Sequence, residues 1–342
     1  MTVTEFGELM PREEDFRVGA PAPKPPPLRP ESEIIRNWQG DTPRVSVLCA
    51  TYNHESFIED AIRGFLAQDT TFPFEVLIRD DASTDSTAEI VRDFEKRYPT
   101  IIRGIYEKEN RYPAVRAGGV LKKEAKGNFL AKCEGDDYWV DSRKLQYQVE
   151  ALEAKPVMVL AFHQVATIMS DQILALEKNS SKYRRDFSAE ELKRGEPSSR
   201  TCTRLYRNVV LHPSPHSSLM LGDGFLEAQL GIYGGGTFVE GLMPSIYRKD
   251  SQGIWNSLSS DERNGVAANS FFYIGLFFKD RGEEDVAEHW RNAGLTRYSA
   301  LTEGSFIHVR KAKGLRWVLA EIFRISIRFA YHRLARAFRH RR

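Results

Sequence analysis

The sequence has little of what marks secreted, membrane-spanning or zinc-stabilised proteins. Its 342 residues contain three cysteines, Cys49, Cys133 and Cys202, which lie far apart and form no CxxC pair. This pattern argues against a disulfide framework and a structural zinc site, and it fits a reducing compartment. The chain has no uninterrupted apolar run of about 18 residues and no apolar core of a signal peptide, so neither a spanning helix nor secretion is expected.

Glycine-rich phosphate loops are also missing from the sequence. No GxGxxG motif follows the first predicted strand, and no GxxxxGKS/T motif occurs. Both are motifs in which backbone N–H groups bind phosphate, so the dinucleotide-binding and P-loop classes are disfavoured. A bound phosphate would have to be held by a metal ion and side chains instead.

Positive charge is concentrated near the C-terminus. Residues 310–342 carry eleven Lys or Arg and one acid, about +10, and the remainder is near −8 because the whole chain is +2. Arg324, Arg328 and His332 belong to a basic stripe that repeats every four residues beside a wide apolar face. We predict an amphipathic helix lying on an anionic membrane surface. Docking on the body of the protein or on another subunit is the alternative, and RNA binding is less favoured.

The N-terminal stretch is rich in proline. Residues 1–42 are polar, and Pro21–Pro30 contains six prolines. This composition predicts a disordered or polyproline II leader, and a plain linker is favoured over an SH3-type ligand.

Strands and helices alternate from Arg44 onwards. Apolar runs predict strands at 45–50, 74–78, 101–106 and 128–133, separated by helical segments, one of them capped by Ser83 or Thr84. Repeated βαβ spacing predicts a mostly parallel sheet with helices on both faces, and such sheets bind ligands beyond the carboxyl ends of their strands. Polar clusters follow three of the strands, at Tyr52–Asn53, Asp80–Asp81 and Asp136–Asp137. We therefore expect the three clusters to meet at one site.

The acidic stretch Lys132–Trp139 follows the fourth predicted strand. Two adjacent carboxylates at the end of a buried strand repel each other, and burial disfavours their charged forms. A hard divalent cation such as Mg²⁺ or Mn²⁺ relieves both effects and keeps positions for water or phosphate. The alternative is a solvated acidic turn that caps the helix starting near Ser142.

The second half of the chain is less regular. A strand or strand pair is predicted at 157–168, strand-like alternation at 201–208, a helix at 225–233 stopped by Gly234–Gly236, a strand at 238–247, and helices at 261–279 and 283–298.

Taken together, these motifs resemble the family 2 glycosyltransferases of the GT-A fold. The matching stretches are Val45–Glu55, Asp80–Asp85, Glu134–Trp139 and Lys144–Val149. The resemblance is specific from about residue 44 to 155, weaker from 187 to 256, and absent elsewhere. It implies a GT-A type, Rossmann-like α/β fold with a mostly parallel central sheet and helices on both faces, followed here by a C-terminal helical extension.

The family pattern also implies roles for individual residues. Those implied in nucleotide-sugar binding are Thr51, Tyr52, Asn53, Glu55, Asp80, Asp81, Glu134, Asp136 and Trp139. Asp137, with Asp136, would bind Mg²⁺ or Mn²⁺ on the diphosphate, and Asp223 would be the general base, its alternative role being a helix N-cap. Arg248, Asp250 and Trp255 are candidate acceptor or phosphate contacts.

Three positions depart from that pattern. Glu134 stands where the family often has Asp, Gly224 where related chains often have the Trp of a Gly-Asp-Trp motif, and Asp250 where a His commonly follows Tyr-Arg. The first change keeps a carboxylate. The other two put a pocket aromatic and a third metal or phosphate contact in doubt.

The resemblance predicts an inverting, metal-dependent transferase that moves a sugar from a nucleoside-diphosphate sugar, with a UDP-sugar favoured, to an acceptor hydroxyl. A saccharide or lipid-linked acceptor in surface polysaccharide or glycolipid assembly is expected, with the protein cytoplasmic and peripheral on the inner face of the cell membrane, and no nucleic-acid partner. The predicted parts are a leader at 1–42, a nucleotide-sugar-binding half at 43–155, an acceptor-binding half at 156–300 and the basic helix at 301–342. A nucleotidyltransferase and a catalytically impaired scaffold of the same fold are the alternatives.

Overall fold

The computed structural model describes residues 11–111, 117–177, 181–213, 219, 221–249 and 258–300. The chain divides into two compact units. The first contains the described residues up to 212 together with 223–249, and the second contains 213, 219, 221–222 and 258–300. The predicted division at 155/156 falls inside the first unit.

A seven-stranded, mostly parallel sheet forms the centre of the first unit. The described residues contain ten strands: β1 (Val45–Thr51), β2 (Phe74–Asp80), β3 (Ile102–Tyr106), β4 (Phe129–Lys132), β5 (Met158–Phe162), β6 (Val165–Met169), β7 (Gln172–Glu177), β8 (Leu205–Arg207), β9 (Gly235–Phe238) and β10 (Ser245–Arg248). The central sheet has the order β3-β2-β1-β4-β8-β5-β9. Within it β8 runs antiparallel to both of its neighbours, and the other pairs are parallel. Strands β10, β6 and β7 form a second, small sheet.

Helices occupy both faces of the central sheet. The described helices are α1 (Glu31–Ile34), α2 (Ile58–Leu66), α3 (Thr87–Arg97), α4 (Ala117–Glu124), α5 (Lys144–Ala154), α6 (Ala189–Lys193), α7 (Gly222–Leu230), α8 (Ser260–Asp280) and α9 (Glu284–Ser299). Alternate residues of β1 enter different cores: Val47 packs in a cluster with Ile62 of α2, whereas Leu48 packs in a cluster with Leu121 of α4. This alternation explains why β1 is apolar throughout, since each side chain points to one of two buried faces.

The predicted fold class is confirmed, with corrections to single elements. The stretch 238–247, predicted as one strand, is the end of β9, a turn and the start of β10. Gly235 and Gly236 lie inside β9 and do not stop a helix. A Cβ at Gly235 would lie 2.3 Å from the carbonyl oxygen of Phe187, so close backbone approach explains this glycine. The strand predicted at 201–208 is shorter, because a 3-10 turn at Thr201–Thr203 precedes β8.

The N-terminal segment differs from the predicted disordered leader. Between residues 11 and 42, Phe16, Ala22 and Ile34 are buried in the cores of the first unit. The carboxylate of Glu31 accepts hydrogen bonds from the backbone of Thr100 and Ile101. Proline-rich composition suggested a chain without a core of its own, but apolar residues between the prolines are buried by the body.

Two long helices characterise the second unit. Helix α8 begins with a capping box, in which Ser259 and Glu262 bind each other's backbone N–H groups. Phe272 of α8 packs with Leu295 and Tyr298 of α9. No helix within the described ranges is long and apolar enough to cross a membrane. The basic helix predicted at 301–342 lies outside the described residues.

Candidate functional site

The loops that follow β1 and β2 are hydrogen-bonded to each other. The backbone N–H of Asn53 donates to Ser83 Oγ at 2.9 Å, and the backbone N–H of Thr84 donates to Asn53 Oδ1 at 2.8 Å. Asn53 has a φ of +53°, in the left-handed region that asparagine tolerates better than most residues. The two loops therefore form one folded edge, with Tyr52 exposed beside it.

Glu55 links the β1 loop to the first turn of α3. Its carboxylate accepts from the backbone N–H of Ser86 at 3.0 Å, and its own N–H donates to Asp85 at 3.1 Å. Helix α3 begins at Thr87, so the predicted cap at Ser83 or Thr84 is wrong. These bonds give Glu55 a structural role at the helix start.

The two acids at the end of β2 have protein partners. Asp80 accepts from the backbone N–H of Ser83 at 3.1 Å and also from its hydroxyl. Asp81 accepts from Arg79 Nη2 at 2.7 Å, and the Nε of the same guanidinium donates to Glu107 at 3.0 Å. Arg79 is 1% exposed, so a buried cation compensates the charge of Asp81.

The acidic loop after β4 lies against the end of β1. The N–H of Gly135 donates to the Ala50 carbonyl at 2.9 Å, and a Cβ on Gly135 would lie 2.7 Å from Thr51 Oγ1 and 3.0 Å from His54 Nδ1. Both of those side-chain atoms are buried and lack a hydrogen-bond partner within the described part of the chain. Such polar atoms beside an acidic loop are an expected feature of a ligand site.

Asp137 is the most deeply buried carboxylate of this loop. It is 2% exposed and accepts one backbone N–H, that of Arg248, on Oδ1 at 2.9 Å. Burial raises the pKa of the Asp137 carboxyl well above its usual range, and the negative charges of Asp136 and Glu134 raise it further, against the lowering effect of the Arg248 N–H. The fold therefore holds a carboxylate where its charge is poorly compensated.

Arg248, the last residue of β10, connects the acidic loop to α2 by hydrogen bonds and an ion pair. Its Nη1 donates to the Asp136 carbonyl at 2.9 Å, and its Nη2 forms an ion pair with Asp60. The guanidinium lies 5.0 Å from the ring centroid of Phe57 and 4.6 Å from that of Tyr138. Arg248 is predicted as an acceptor or phosphate contact, and the structure shows it holding the backbone of the acidic loop.

Glu134 and Asp223 belong to the same charged region. Both residues are exposed to solvent. The Glu134 carboxylate is nevertheless close enough to other protein atoms to lose part of its hydration. Partial desolvation raises the pKa of Glu134, the charge of Asp136 raises it further, and Asp223 adds to this effect, while Lys132 opposes it. Asp223 therefore lies near enough to act electrostatically on the acidic loop.

A buried ion pair anchors the start of α7 and with it Asp223. Arg204 Nη1 donates to the Asp223 carbonyl at 3.0 Å, and Arg204 Nη2 lies 2.9 Å from the carboxylate of Glu227. Asp223 lies in the first turn of α7, one residue after Gly222, with its Oδ1 accepting from the N–H of Gly224 at 2.9 Å. Its carboxylate projects from an anchored helix start and remains accessible to solvent.

Trp139, predicted to bind the nucleotide sugar, lies in the core. It is 1% exposed, its Nε1 donates to the Cys202 carbonyl at 2.7 Å, and its ring packs edge-on against Phe65 at 4.9 Å. The Lys144 ammonium lies 4.1 Å from its ring centroid. These contacts assign Trp139 to support of the loop and exclude it from the ligand surface. Asp250 and Trp255 lie outside the described residues.

The structure thus joins the predicted residues at three strand ends and adds partners that sequence reasoning missed. Arg79 and Arg204 each pair with a carboxylate of the site or its supports, and Asp60 pairs with the guanidinium of Arg248. Arg79 could have been found, because an arginine that follows the apolar run Val76–Ile78 of a buried strand requires an anionic partner. Asp60 carried no comparable signal, since its helix position is compatible with a solvated surface.

The donor atoms at the site suit a hard divalent cation. Asp136 and Asp137 offer carboxylate oxygens where the burial of Asp137 and the repulsion between the two acids disfavour negative charge. No group of three or more His, Cys, Asp or Glu side chains suitable for a metal occurs among the residues that the structure describes. A cation here would need further oxygen ligands from water or a substrate phosphate, which is the usual coordination of Mg²⁺.

Comparison with known proteins agrees with this arrangement. A family model described as glycosyl transferase family 2 matches residues 46–216. Uncharacterized protein Rv1520 of Mycobacterium tuberculosis is 35% identical over 249 residues, which cover 71% of each chain. The chain belongs to glycosyl transferase family 2. It is therefore a glycosyltransferase.

One further relative of this family 2 glycosyltransferase carries a functional name, and a solved structure shares its fold. WfaP of Escherichia coli, a UDP-Glc:alpha-D-GlcNAc-diphosphoundecaprenol beta-1,3-glucosyltransferase, is 33% identical over 113 residues, or 33% of this chain and 43% of WfaP. The structure of S. aureus TarS 1-349 in complex with UDP-GlcNAc superposes with a TM-score of 0.53 at 18% identity, covering 75% of this chain and 73% of that one. The TarS likeness shows the GT-A fold.

Proposed function

We propose that this enzyme is an inverting, metal-dependent glycosyltransferase that uses a nucleoside-diphosphate sugar. The observation that carries the proposal is the buried carboxylate of Asp137, whose charge is opposed by burial and by Asp136 at the edge where the loops of β1 and β2 meet. A protein that keeps such a charge gains from a cation that binds with a substrate.

The nucleoside would bind along the edge formed by the β1 and β2 loops. Tyr52 offers an exposed ring, and Asn53 is held by Ser83 and Thr84. Asp81, fixed by Arg79, supplies a rigid acceptor for base or ribose donors. UDP is the favoured nucleotide, because WfaP is named as a transferase that uses UDP-Glc and the TarS structure contains UDP-GlcNAc.

The diphosphate would lie over the acidic loop. Asp137 and Asp136 would hold Mg²⁺ or Mn²⁺ there, and the bound ion would offset the charge that develops on the leaving diphosphate. Thr51 Oγ1 and His54 Nδ1 offer polar contacts beside the same loop. Glu134 remains solvent-accessible next to them.

Asp223 would act as the general base. The acceptor hydroxyl attacks the anomeric carbon from the face opposite the diphosphate, the carbon–oxygen bond to the diphosphate breaks, and the hydroxyl proton passes to the Asp223 carboxylate. A single displacement of this kind inverts the configuration at the anomeric carbon. The accessible carboxylate on the anchored start of α7 supports this role.

A saccharide or lipid-linked acceptor at the cytoplasmic face of the membrane completes the proposal. WfaP is named for an acceptor that is linked to diphosphoundecaprenol. The basic residues of 310–342 would bind anionic lipid. We expect the full chain to sediment with phosphatidylglycerol vesicles but not with phosphatidylcholine vesicles. Sedimentation with neither kind of vesicle, or equal sedimentation with both, would contradict the proposed membrane binding.

Calorimetric titration of the full chain with UDP and with GDP, each with and without Mn²⁺, tests the proposed donor site. We expect one nucleotide to bind with an affinity that rises when Mn²⁺ is present. The Asp137→Asn variant should lose the metal effect, because its amide still accepts the Arg248 N–H but carries no charge. The matched control is Asp93→Asn, at an exposed helix position paired with Arg97.

The Asp223→Asn variant tests the proposed base separately. Turnover of the UDP-sugar should fall by about 10² to 10⁴, since a positioned base contributes that much. Binding of UDP with Mn²⁺ should be unchanged. Metal-independent binding of nucleotide with no turnover in the unmodified chain would favour the scaffold alternative.

A further inference from the structure

We propose that the N-terminal segment 16–24, here named the strap, positions the acidic loop for metal and diphosphate binding. It is a structural part of the site although it lies more than 100 residues from Asp137 in sequence. The strap's role in metal binding rests on the function proposed above, whereas its control of loop geometry does not.

The strap is fixed to the hairpin formed by β6 and β7. Its Gly19 N–H donates to the Ile173 carbonyl at 2.7 Å, the Ile173 N–H donates to Ala20 at 2.9 Å, and the Ala22 N–H donates to Asp171 at 2.8 Å. This is the bonding of a short added strand, and it leaves the strap a defined register.

Apolar side chains of the strap fill a core next to the acidic loop. Phe16 is 3% exposed and Ala22 is 7% exposed. Both belong to a cluster that contains Tyr138, the residue directly after Asp137, and Ile246 of β10. The strap therefore forms part of the surface on which the acidic loop packs.

A direct hydrogen bond joins the strap to the loop. The Tyr138 hydroxyl donates to the Pro23 carbonyl at 3.0 Å, and Tyr138 is fully buried. The backbone of Tyr138 is paired with Ile246 in both directions, at 3.2 and 2.9 Å. The hydroxyl bond of Tyr138, and part of the apolar cluster that contains its ring, thus come from the strap.

A second connection passes through Asp60. Its Oδ2 pairs with Arg248 Nη2 and lies 3.9 Å from Lys24 Nζ in the strap. Arg248 also contacts the Tyr138 ring and donates to the Asp136 carbonyl and to Asp137 Oδ1. Strap, Tyr138 and Arg248 thereby form one connected set around the two acids.

Release of the strap should loosen the acidic loop without removing a ligand. We would compare the full chain with Phe16→Ala, which removes the buried anchor, and with Phe16→Leu, which retains apolar volume. Arg17→Ala is the matched control, because Arg17 is exposed and its guanidinium donates to the Glu14 carbonyl. Tyr138→Phe removes the hydroxyl bond to Pro23 and keeps the ring.

The first measurement is hydrogen exchange of the backbone amides in Glu134–Trp139. Phe16→Ala should accelerate it about tenfold, Tyr138→Phe less, and Phe16→Leu and Arg17→Ala little or not at all. Faster exchange in the strap with unchanged exchange in the acidic loop would overturn the proposal. If Phe16→Ala raises exchange throughout the first unit by unpacking the core, the Tyr138→Phe variant tests the proposal. The loss of one hydroxyl leaves the core packed and should raise exchange only in the acidic loop.

The second measurement is the Mn²⁺ concentration that gives half-maximal enhancement of UDP or GDP binding. It should rise about fivefold in Tyr138→Phe, which corresponds to the loss of one neutral hydrogen bond. It should stay constant in Arg17→Ala. If the unmodified chain shows no metal effect, the proposed metal site fails, and the exchange measurement still decides whether the strap positions the loop.

Discussion

Two pairs of adjacent aspartates flank β1, and they differ in their hydrogen-bond and ion-pair partners. At the end of β2, Asp80 accepts two hydrogen bonds from Ser83, and Asp81 pairs with the buried guanidinium of Arg79. After β4, Asp137 accepts a single backbone N–H while Asp136 adds a second negative charge beside it. The first pair is bonded to a buried guanidinium within the fold. At the second pair, burial and the charge of Asp136 outweigh the N–H and the positive charge of Arg248, so this pair is here called uncompensated.

This difference separates the proposed rigid acceptor from the proposed cation site. A carboxylate held by an internal arginine keeps its charge and position without a ligand, so it can form a fixed wall for a nucleoside. A buried carboxylate without a cation destabilises the fold until a cation arrives. Two adjacent acids in a sequence do not by themselves indicate metal binding, because an internal arginine can offset their charge, as Arg79 does for Asp81.

The largest expected effect comes from removing the uncompensated charge. Asp137→Asn should lower turnover by at least about 10³, since a metal ion contributes several kcal/mol of charge stabilisation. The same change should raise the melting temperature of the metal-free protein by a few degrees at neutral pH. Thermal unfolding with and without Mn²⁺, beside a turnover assay, checks both.

The pH dependence of that stability difference has a defined sign. The pKa of Asp137 is raised in the folded state, so the folded protein holds a proton at pH values where the unfolded chain has lost it. The free energy of unfolding therefore falls as pH rises from the ordinary carboxyl range through the raised pKa. The Asp137→Asn variant has no carboxyl at this position, so its stability should not fall in this way. The gain in melting temperature should vanish in acid; a gain that persists there would contradict the assignment.

The opposite outcome is expected at the compensated pair. Asp81→Asn should destabilise the protein by about 2 kcal/mol, because it weakens a buried charge-assisted hydrogen bond to Arg79. Urea unfolding measures the effect. Combination with Arg79→Met should be less destabilising than the sum of the single changes, and strict additivity would show that the ion pair does not compensate Asp81.

A glycine substitution sharpens the comparison at the uncompensated loop. Gly135→Ala places a Cβ within 2.7 Å of Thr51 Oγ1, so we expect a loss of about 1 to 3 kcal/mol and weaker nucleotide binding. Gly119→Ala is the matched control, because no atom of the described residues outside its own stretch of α4 lies within 4 Å of its Cβ position. That variant should be stabilised by up to about 1 kcal/mol. Equal effects of the two changes would refute the close approach at Gly135.

The smallest expected effect concerns Ala82, which follows the compensated pair. Its φ of +60° lies in the left-handed region, where a Cβ is unfavourable. Ala82→Gly should relieve this strain and stabilise the protein by about 0.5 kcal/mol, after the greater unfolded-state entropy of glycine is subtracted. Thermal unfolding detects such a gain, and a decrease in stability would show that the Ala82 backbone is not strained.

The sequence was sufficient to predict the first four strands, a mostly parallel sheet and the convergence of polar residues at the strand ends. Continuous apolar runs such as Val45–Ala50 have no other stable place than a sheet covered on both faces. The difference between Asp81 and Asp137 was not predictable in the same way. It depends on whether Arg79 and Arg248 reach the carboxylates, and the side-chain directions that decide this are set by tertiary packing.

Trp139 and the strap show two further limits of pattern reading. An aromatic beside an acidic motif suits a pocket wall and a core position equally well, and only the contacts with Phe65 and Cys202 decide between them. Proline content around Pro21–Pro30 predicted disorder, because nothing in a local window reveals that the β6–β7 hairpin offers it a partner.

The position of β8 has a consequence for how the chain folds during synthesis. Strands β1 to β4 can associate early, but β4 pairs on its outer side with β8, which follows after about 70 further residues. At an elongation rate of about 5 to 20 residues per second, the edge of β4 stays open for several seconds. Open edges of apolar strands invite pairing with other chains. The nascent enzyme should therefore depend on chaperones between the emergence of Lys132 and that of Leu205, and pausing translation within that interval should increase aggregation.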